Sequence, residues 1–238
     1  MGLARIDERE WLIVDERRDV ELALRARLLD ERRDEVFFAL PGSEAASAEV
    51  LALIDGDEHG RHALEAAGRA VQEDLCVLVP DGGGFVLGAA CVCFPSHWRL
   101  ADKVGLPVAA IHAPVPRYDE ELAAKVDGFI ARLRPGTVVA RRNWTIHELE
   151  DLFAPACPPV QGVPPADQWL RSERQTLRLL PETGAVLFTI KTQQTQLRNV
   201  PLDVRTRLAA RLRAEPPELD AYKGLSARAA ELVTFLEG

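Results

Sequence analysis

Of the five histidines in the chain, His112 has the setting best suited to chemistry, inside Ala109-Ala-Ile-His-Ala-Pro-Val-Pro116. An imidazole among apolar residues and prolines, just ahead of a strong helix pattern, is placed to be a rigid axial ligand to haem iron. A core histidine bonded to a carbonyl is the other reading of the same residues. Arg141-Arg-Asn-Trp-Thr-Ile-His147 alternates as a strand would, with Arg142, Trp144 and Ile146 on one face and Arg141, Asn143 and His147 on the other. Arg171-Ser-Glu-Arg-Gln-Thr176 is hydrophilic on both faces between apolar flanks. In a core sheet, Arg171, Glu173, Arg174 and Gln175 must pair internally or point at an anionic ligand, because unpaired buried charge is costly. An edge strand facing water satisfies the same pattern.

The remaining motifs narrow the chemistry. His59 and His62 lie among charged helix residues, and His97 flanks Trp98. Cys91-Val-Cys93 with His97 and His112 lacks the spacer usual for zinc and lies in a strand. Gly82-Gly-Gly84 reads as a hairpin turn, since no helix follows to cradle a phosphate. Ser96 lacks a nucleophile elbow. No Cys-x-x-Cys-His occurs, so a haem would be held non-covalently, as haem b. The four cysteines form no secreted-type framework, and reduced thiols are expected. The net charge of −8 comes from mixed-sign helices, which argues against nucleic acid as a partner. No apolar run of about 18 residues and no apolar leader are present, so no membrane partner and a cytoplasmic location are expected.

These residues need elements to position them. Hydrophobic residues are 47% of the 238, enough for a full core. An apolar stripe at Val20, Leu24, Leu28 and Val36 predicts a helix from Asp15 to Ala39, followed by helices over Glu44 to Ile54 and Arg61 to Glu73. Leu75 to Val79 and Phe85 to Phe94 predict a hairpin. A helix capped by Asp119 carries Leu122, Val126, Phe129, Ile130 and Leu133 on one face. Strands are then expected over Thr137 to His147, Trp169 to Leu180 and Ala185 to Thr192, with helices over Leu202 to Arg213 and, capped by Ser226, Ala227 to Leu236. Two strands, a helical crossover and three strands make the order of a PAS-like α+β domain, a five-stranded antiparallel sheet cupped by helices around a cavity. The expected division is a helical extension over 1–74, a PAS-like haem-binding core over 75–194, and C-terminal helices packing on it over 195–238.

Several runs carry a family resemblance. They are Phe38-Ala-Leu-Pro-Gly42, Leu75-Cys-Val-Leu-Val-Pro80, Val92-Cys-Phe-Pro-Ser96 with Trp98, Ile111-His-Ala-Pro-Val-Pro116, Asn143-Trp-Thr-Ile-His147, and Glu173-Arg-Gln-Thr-Leu-Arg178 through Gly184-Ala-Val-Leu-Phe-Thr-Ile-Lys191. With them the chain resembles the haem-dependent oxidative N-demethylases, catalytic alpha-subunit-like. The resemblance implies haem b in a PAS-like fold and oxidation of a small secondary amine such as dimethylamine with dioxygen, releasing formaldehyde. Electrons would come from separate flavin and iron–sulfur reductase subunits, for which this chain has neither a cysteine cluster nor a Rossmann fingerprint. On that reading His112 ligates iron, with the reverse assignment, His147 as ligand and His112 as wall, kept open. His147, Arg142 and Asn143 occupy the opposite side of the haem, and Trp144 belongs to the cofactor-binding set. Arg174, Arg178 or Lys191 neutralise propionates, and Glu173 attracts the cationic amine or passes protons. A haem-binding sensor or a small-ligand module without turnover are the competing readings.

Overall fold

Alternation of β-branched, aromatic and polar residues lets one strand line two different environments, and that pattern builds the central sheet. The computed structural model describes residues 2–57, 59–82, 84–116, 120–159 and 161–238. Asp119, expected as a helix cap, and Gly83, inside the expected glycine turn, lie outside the described residues. Strands β1 (Ala4–Ile6), β2 (Phe37–Ala39), β3 (Asp74–Asp81), β4 (Gly84–Cys91), β5 (Val138–His147), β6 (Trp169–Leu179) and β7 (Val186–Gln196) pair antiparallel in the order β1-β5-β6-β7-β3-β4-β2.

The sheet thus has seven strands where five were expected. Its two extra members are edge strands of three residues each, too short for periodicity to announce. The second also breaks an expected helix. In place of one helix from Asp15 to Ala39, α1 (Arg18–Glu31) is followed by a single turn, α2 (Arg33–Val36), and the chain then pairs Phe37 and Phe38 with Cys91 and Ala90 of β4. Burying Phe37 against the sheet outweighs the weak preference of this segment for helix. The other helices are α3 (Glu44–Leu53), α4 (Ala63–Ala70), α5 (Val108–His112), α6 (Glu120–Ile130), α7 (Leu202–Ala214), α8 (Pro217–Tyr222) and α9 (Ala229–Glu237). The last has Arg228, not Ser226, at its N-cap.

Residues directly opposite in a ladder share a face, so the registers sort the sheet into two surfaces. Val139, Leu177, Phe188, Cys76 and Ala90 stand on the crossover face, packed with Val108 of α5 and Ile130 of α6. Val138, Leu187, Val77 and Ala89 stand on the opposite face, in one core with Trp11, Leu28, Val50 and Leu64. Farther along that second face, Ile146 packs with Leu208, Leu212 and Leu232 of the C-terminal helices. A core side chain such as Leu187 contributes about 1.5–3 kcal/mol by leaving water.

The second face also carries buried charge, all of it paired with the N-terminal segment. Lys191 is held by Glu21 at 2.7 Å and Asp15 at 3.1 Å. Arg174 donates to the carbonyls of Trp11 and Glu10, and Arg178 pairs with Glu8 above the Trp11 ring. Below the sheet end, Arg25 pairs with Asp74 at 2.7 Å, and both side chains are shut from water.

Candidate functional site

One row of polar side chains runs along the crossover face of β5 and β6. Arg141 Nε donates to Gln175 Oε1 at 2.8 Å, Gln175 Nε2 donates to Glu173 Oε2 at 3.1 Å, and Arg171 Nε stands 3.6 Å from Glu173 Oε1. Gln175, Glu173 and Arg171 are spaced two apart on β6, and that alone puts them on one face. Arg171 is fully buried and is held by the carbonyls of Phe94 and Leu152 and by Thr192 Oγ1. Burial pulls its guanidinium below the usual arginine value, against the opposing effect of Glu173.

His112 stands at one end of the row. Its Nδ1 lies 2.8 Å from the Val108 carbonyl within α5. A carbonyl can only accept, so Nδ1 carries the proton and the lone pair is on Nε2, the tautomer a metal ligand needs. The turn behind it is anchored by Lys103 Nζ, which donates to the Ile111 carbonyl at 2.7 Å. Burial, with Arg141 and Lys103 nearby, lowers the imidazole's affinity for a second proton and keeps it neutral. Ile111, Val126, Phe129, Leu177 and Phe188 are only partly buried, packed against the core that α5 and α6 form with this face of the sheet. Partly buried apolar side chains therefore share this face with an imidazole of that tautomer and with the cations Lys103 and Arg141. These residues fit a haem, whose flat apolar ring and anionic propionates need both kinds of partner.

His147 occupies the other end. It is 4% exposed, its Nε2 lies 3.1 Å from Ser96 Oγ, and its ring stacks on His97 with centroids 4.3 Å apart and planes 10° from parallel. Burial, then Arg171, His97 and Arg228, push His147 down to about 2. Burial with the same two guanidiniums pushes His97 down to about 4. Six residues of strand separate Arg141, beside His112, from His147, on the order of 20 Å. The two imidazoles do not face each other across one atom, and the expectation that His147 lies opposite the ligand His112 on the same haem finds no support in this geometry.

The other expected site residues divide by face. Asn143 is exposed on the crossover face and pairs in register with Glu173. Arg142 and Trp144 are on the opposite face, where Arg142 Nη1 reaches Ser172 and Gln193 at 3.3 and 3.4 Å and Trp144 packs under Lys223. Arg174, Arg178 and Lys191 share that opposite face, where the N-terminal segment engages each of them. Arg141 was not singled out from sequence as a site residue and Gln175 only as one of the polar residues of its strand, although the alternation that puts Gln175 on the face of Glu173 was visible. Arg228, which enters from the start of α9 and donates to the Ile146 carbonyl and to Gln168, left no local signal.

The fold and this row define a mixed α/β protein with an antiparallel sheet whose helix-covered face presents a neutral imidazole and a chain of charged side chains. The chain belongs to the family described as haem-dependent oxidative N-demethylase, alpha subunit-like, whose model matches residues 53–233. No curated protein matches it. The family's description carries haem dependence, oxidative N-demethylase chemistry and subunit-like standing. No helix among the described residues is long and apolar enough to cross a membrane.

Proposed function

We propose that this protein is the haem b-binding component of an oxidative N-demethylase acting on a small secondary amine of the dimethylamine type, with dioxygen as oxidant and formaldehyde as product. The observation that carries the reading is the His112 ring, turned by the Val108 carbonyl so that Nε2 bears its lone pair, in a chain of this family. The order of the five inner strands supports a PAS-like core, since β3 and β4, a helical crossover and then β5 to β7 remain when the short edge strands are set aside.

In this proposal His112 Nε2 ligates the iron, Lys103 and Arg141 face the propionates, and Phe129, Leu177 and Phe188 exclude water. A bound haem supplies the redox chemistry. Glu173, steadied by Gln175 and Arg171, attracts the cationic amine, and Asn143 beside it offers an amide for orientation. Reducing equivalents come from separate flavin and iron–sulfur subunits, in keeping with an alpha-subunit-like chain.

The test is the absorption spectrum of protein produced with ample haem. A Soret band is expected in the wild type and in His147→Ala, and is lost or shifted in His112→Ala. Formaldehyde release with dimethylamine and a reductant completes the assignment. A colourless wild type, or His147→Ala losing haem while His112→Ala keeps it, overturns the ligand assignment.

A further inference from the structure

Beyond Arg171 the His97–His147 stack forms one wall of a separate cavity of about 270 Å³, lined on other sides by Phe153, Pro155, Pro158 and Arg228. His97 is held there at a cost. Its backbone has φ +58°, the left-handed region that a branched ring side chain rarely takes, and its N–H donates to the Ala154 carbonyl at 2.7 Å. Such backbone costs about 1–3 kcal/mol and persists where the surroundings over-determine it. The result is an imidazole laid flat on a second one. Parallel rings direct their in-plane nitrogens side by side, so the pair cannot chelate one metal ion, and no group of three or more metal-ligating side chains occurs among the described residues.

The charge around this cavity is unusual. Arg171 and Arg228 are both more than nine-tenths buried, and the Nε of each has no hydrogen-bond partner. The bonds that Arg228 makes go to neutral acceptors, the carbonyls of Ile146 and Gly224 and the amide of Gln168. Among the described residues no carboxylate lies within ion-pair distance of it. Glu148 is on the wall, but its two oxygens accept from the N–H groups of Gln161 and Val163. Asp151 is at the exposed rim, Glu231 acts on Arg228 only from a distance, and Glu173 lies beyond Arg171. The imidazoles feel net positive charge, which matches their neutral state. A buried guanidinium with no carboxylate in ion-pair contact, on which Glu148 acts only through space from the same wall, can receive an anion whose apolar body lies against the proline-rich side.

We propose that this cavity binds a small organic monocarboxylate, its carboxylate at Arg228 and the N–H of a stacked imidazole, its short hydrocarbon part against Phe153, Pro155 and Pro158. The site is distinct from the surface around His112 and rests on the reading in which His112, not His147, holds the haem.

The test uses the whole chain without added haem, titrated with acetate, butyrate and benzoate, with chloride, phosphate and dimethylammonium as controls. Calorimetry measures affinity, and the ring resonances of His97 and His147 report position. Saturable binding of at least one carboxylate is expected, with shifts at both rings and an affinity about tenfold or more lower in Arg228→Gln. Should Arg228→Gln fail to fold, Ala156→Trp, which fills the rim from an exposed position, must abolish the same shifts. No ring shifts at saturating carboxylate overturns the proposal. So does equal affinity for chloride or phosphate, preference for dimethylammonium, or binding untouched by Ala156→Trp.

Discussion

A histidine that is neutral and buried in the folded protein, but free to take a proton once unfolded, makes stability fall as acid is added. His147 is the strongest case here, pushed down to about 2 by burial and by Arg171, His97 and Arg228, against an ordinary value near 6.5. Because its folded value is depressed, its contribution is fully present above about pH 6.5 and is lost as the pH falls toward the folded value. The unfolded chain binds the extra proton throughout that window, so unfolding free energy drops by about 1.4 kcal/mol per pH unit once below pH 6. Integrated from pH 7.5 to pH 4.5, this one ring removes roughly 2.5 kcal/mol. His147→Gln keeps a partner for Ser96 and cannot take the proton. Urea unfolding of both proteins at several values across this range separates the ring from everything they share. Shared contributions include His97, on which His147 exerts no resolved effect, and Glu73, whose carboxyl burial pushes up and which acts in the opposite sense. The expected result is a wild-type loss that exceeds the variant's by about 2–3 kcal/mol. Parallel profiles would mean that water or a counter-charge reaches His147, and the account of a buried imidazole in a positively biased setting would fail.

Other perturbations test other parts of the structure. Arg25→Met strands Asp74 inside the core and should cost about 3–5 kcal/mol by denaturant unfolding; a loss below 1 kcal/mol would mean that water replaces the guanidinium. Gly68→Ala would place a Cβ 2.3 Å from Cys91 Sγ, so a destabilisation of about 1–3 kcal/mol is expected, with relief when Cys91→Ala is added. Leu232→Ala opens a void under the C-terminal helices and should cost about 2–5 kcal/mol. Arg174→Met should lower stability yet leave haem affinity unchanged, while Arg141→Met weakens haem binding about tenfold; the reverse ranking in a haem titration would return the propionates to the opposite face.

Much of the scaffold was legible because its rules are local. Strands β3 to β7 and helix α6 announce themselves through runs and periods that a dozen residues contain, and the glycine turn at Gly184 is visible beside them. The polar strands β5 and β6 were equally plain, and alternation along them separates Glu173 and Gln175 from Arg174. Short elements such as β1 and β2 were hidden, since three residues carry no period and their existence depends on a neighbour offering an edge.

What alternation cannot tell is which layer covers which face. Arg174, Arg178 and Lys191 carried the right chemistry for a dianion, and nothing near them in the chain reveals that Trp11, Glu8 and Glu21, between 163 and 170 residues away, have already claimed them. The same holds for Arg228, which reaches the Ile146 carbonyl across 82 residues. Residue types and the two-residue period thus determined what each strand could offer. Only long-range packing decided to whom, because a buried charge goes to whichever partner the closing layers bring within a few ångströms.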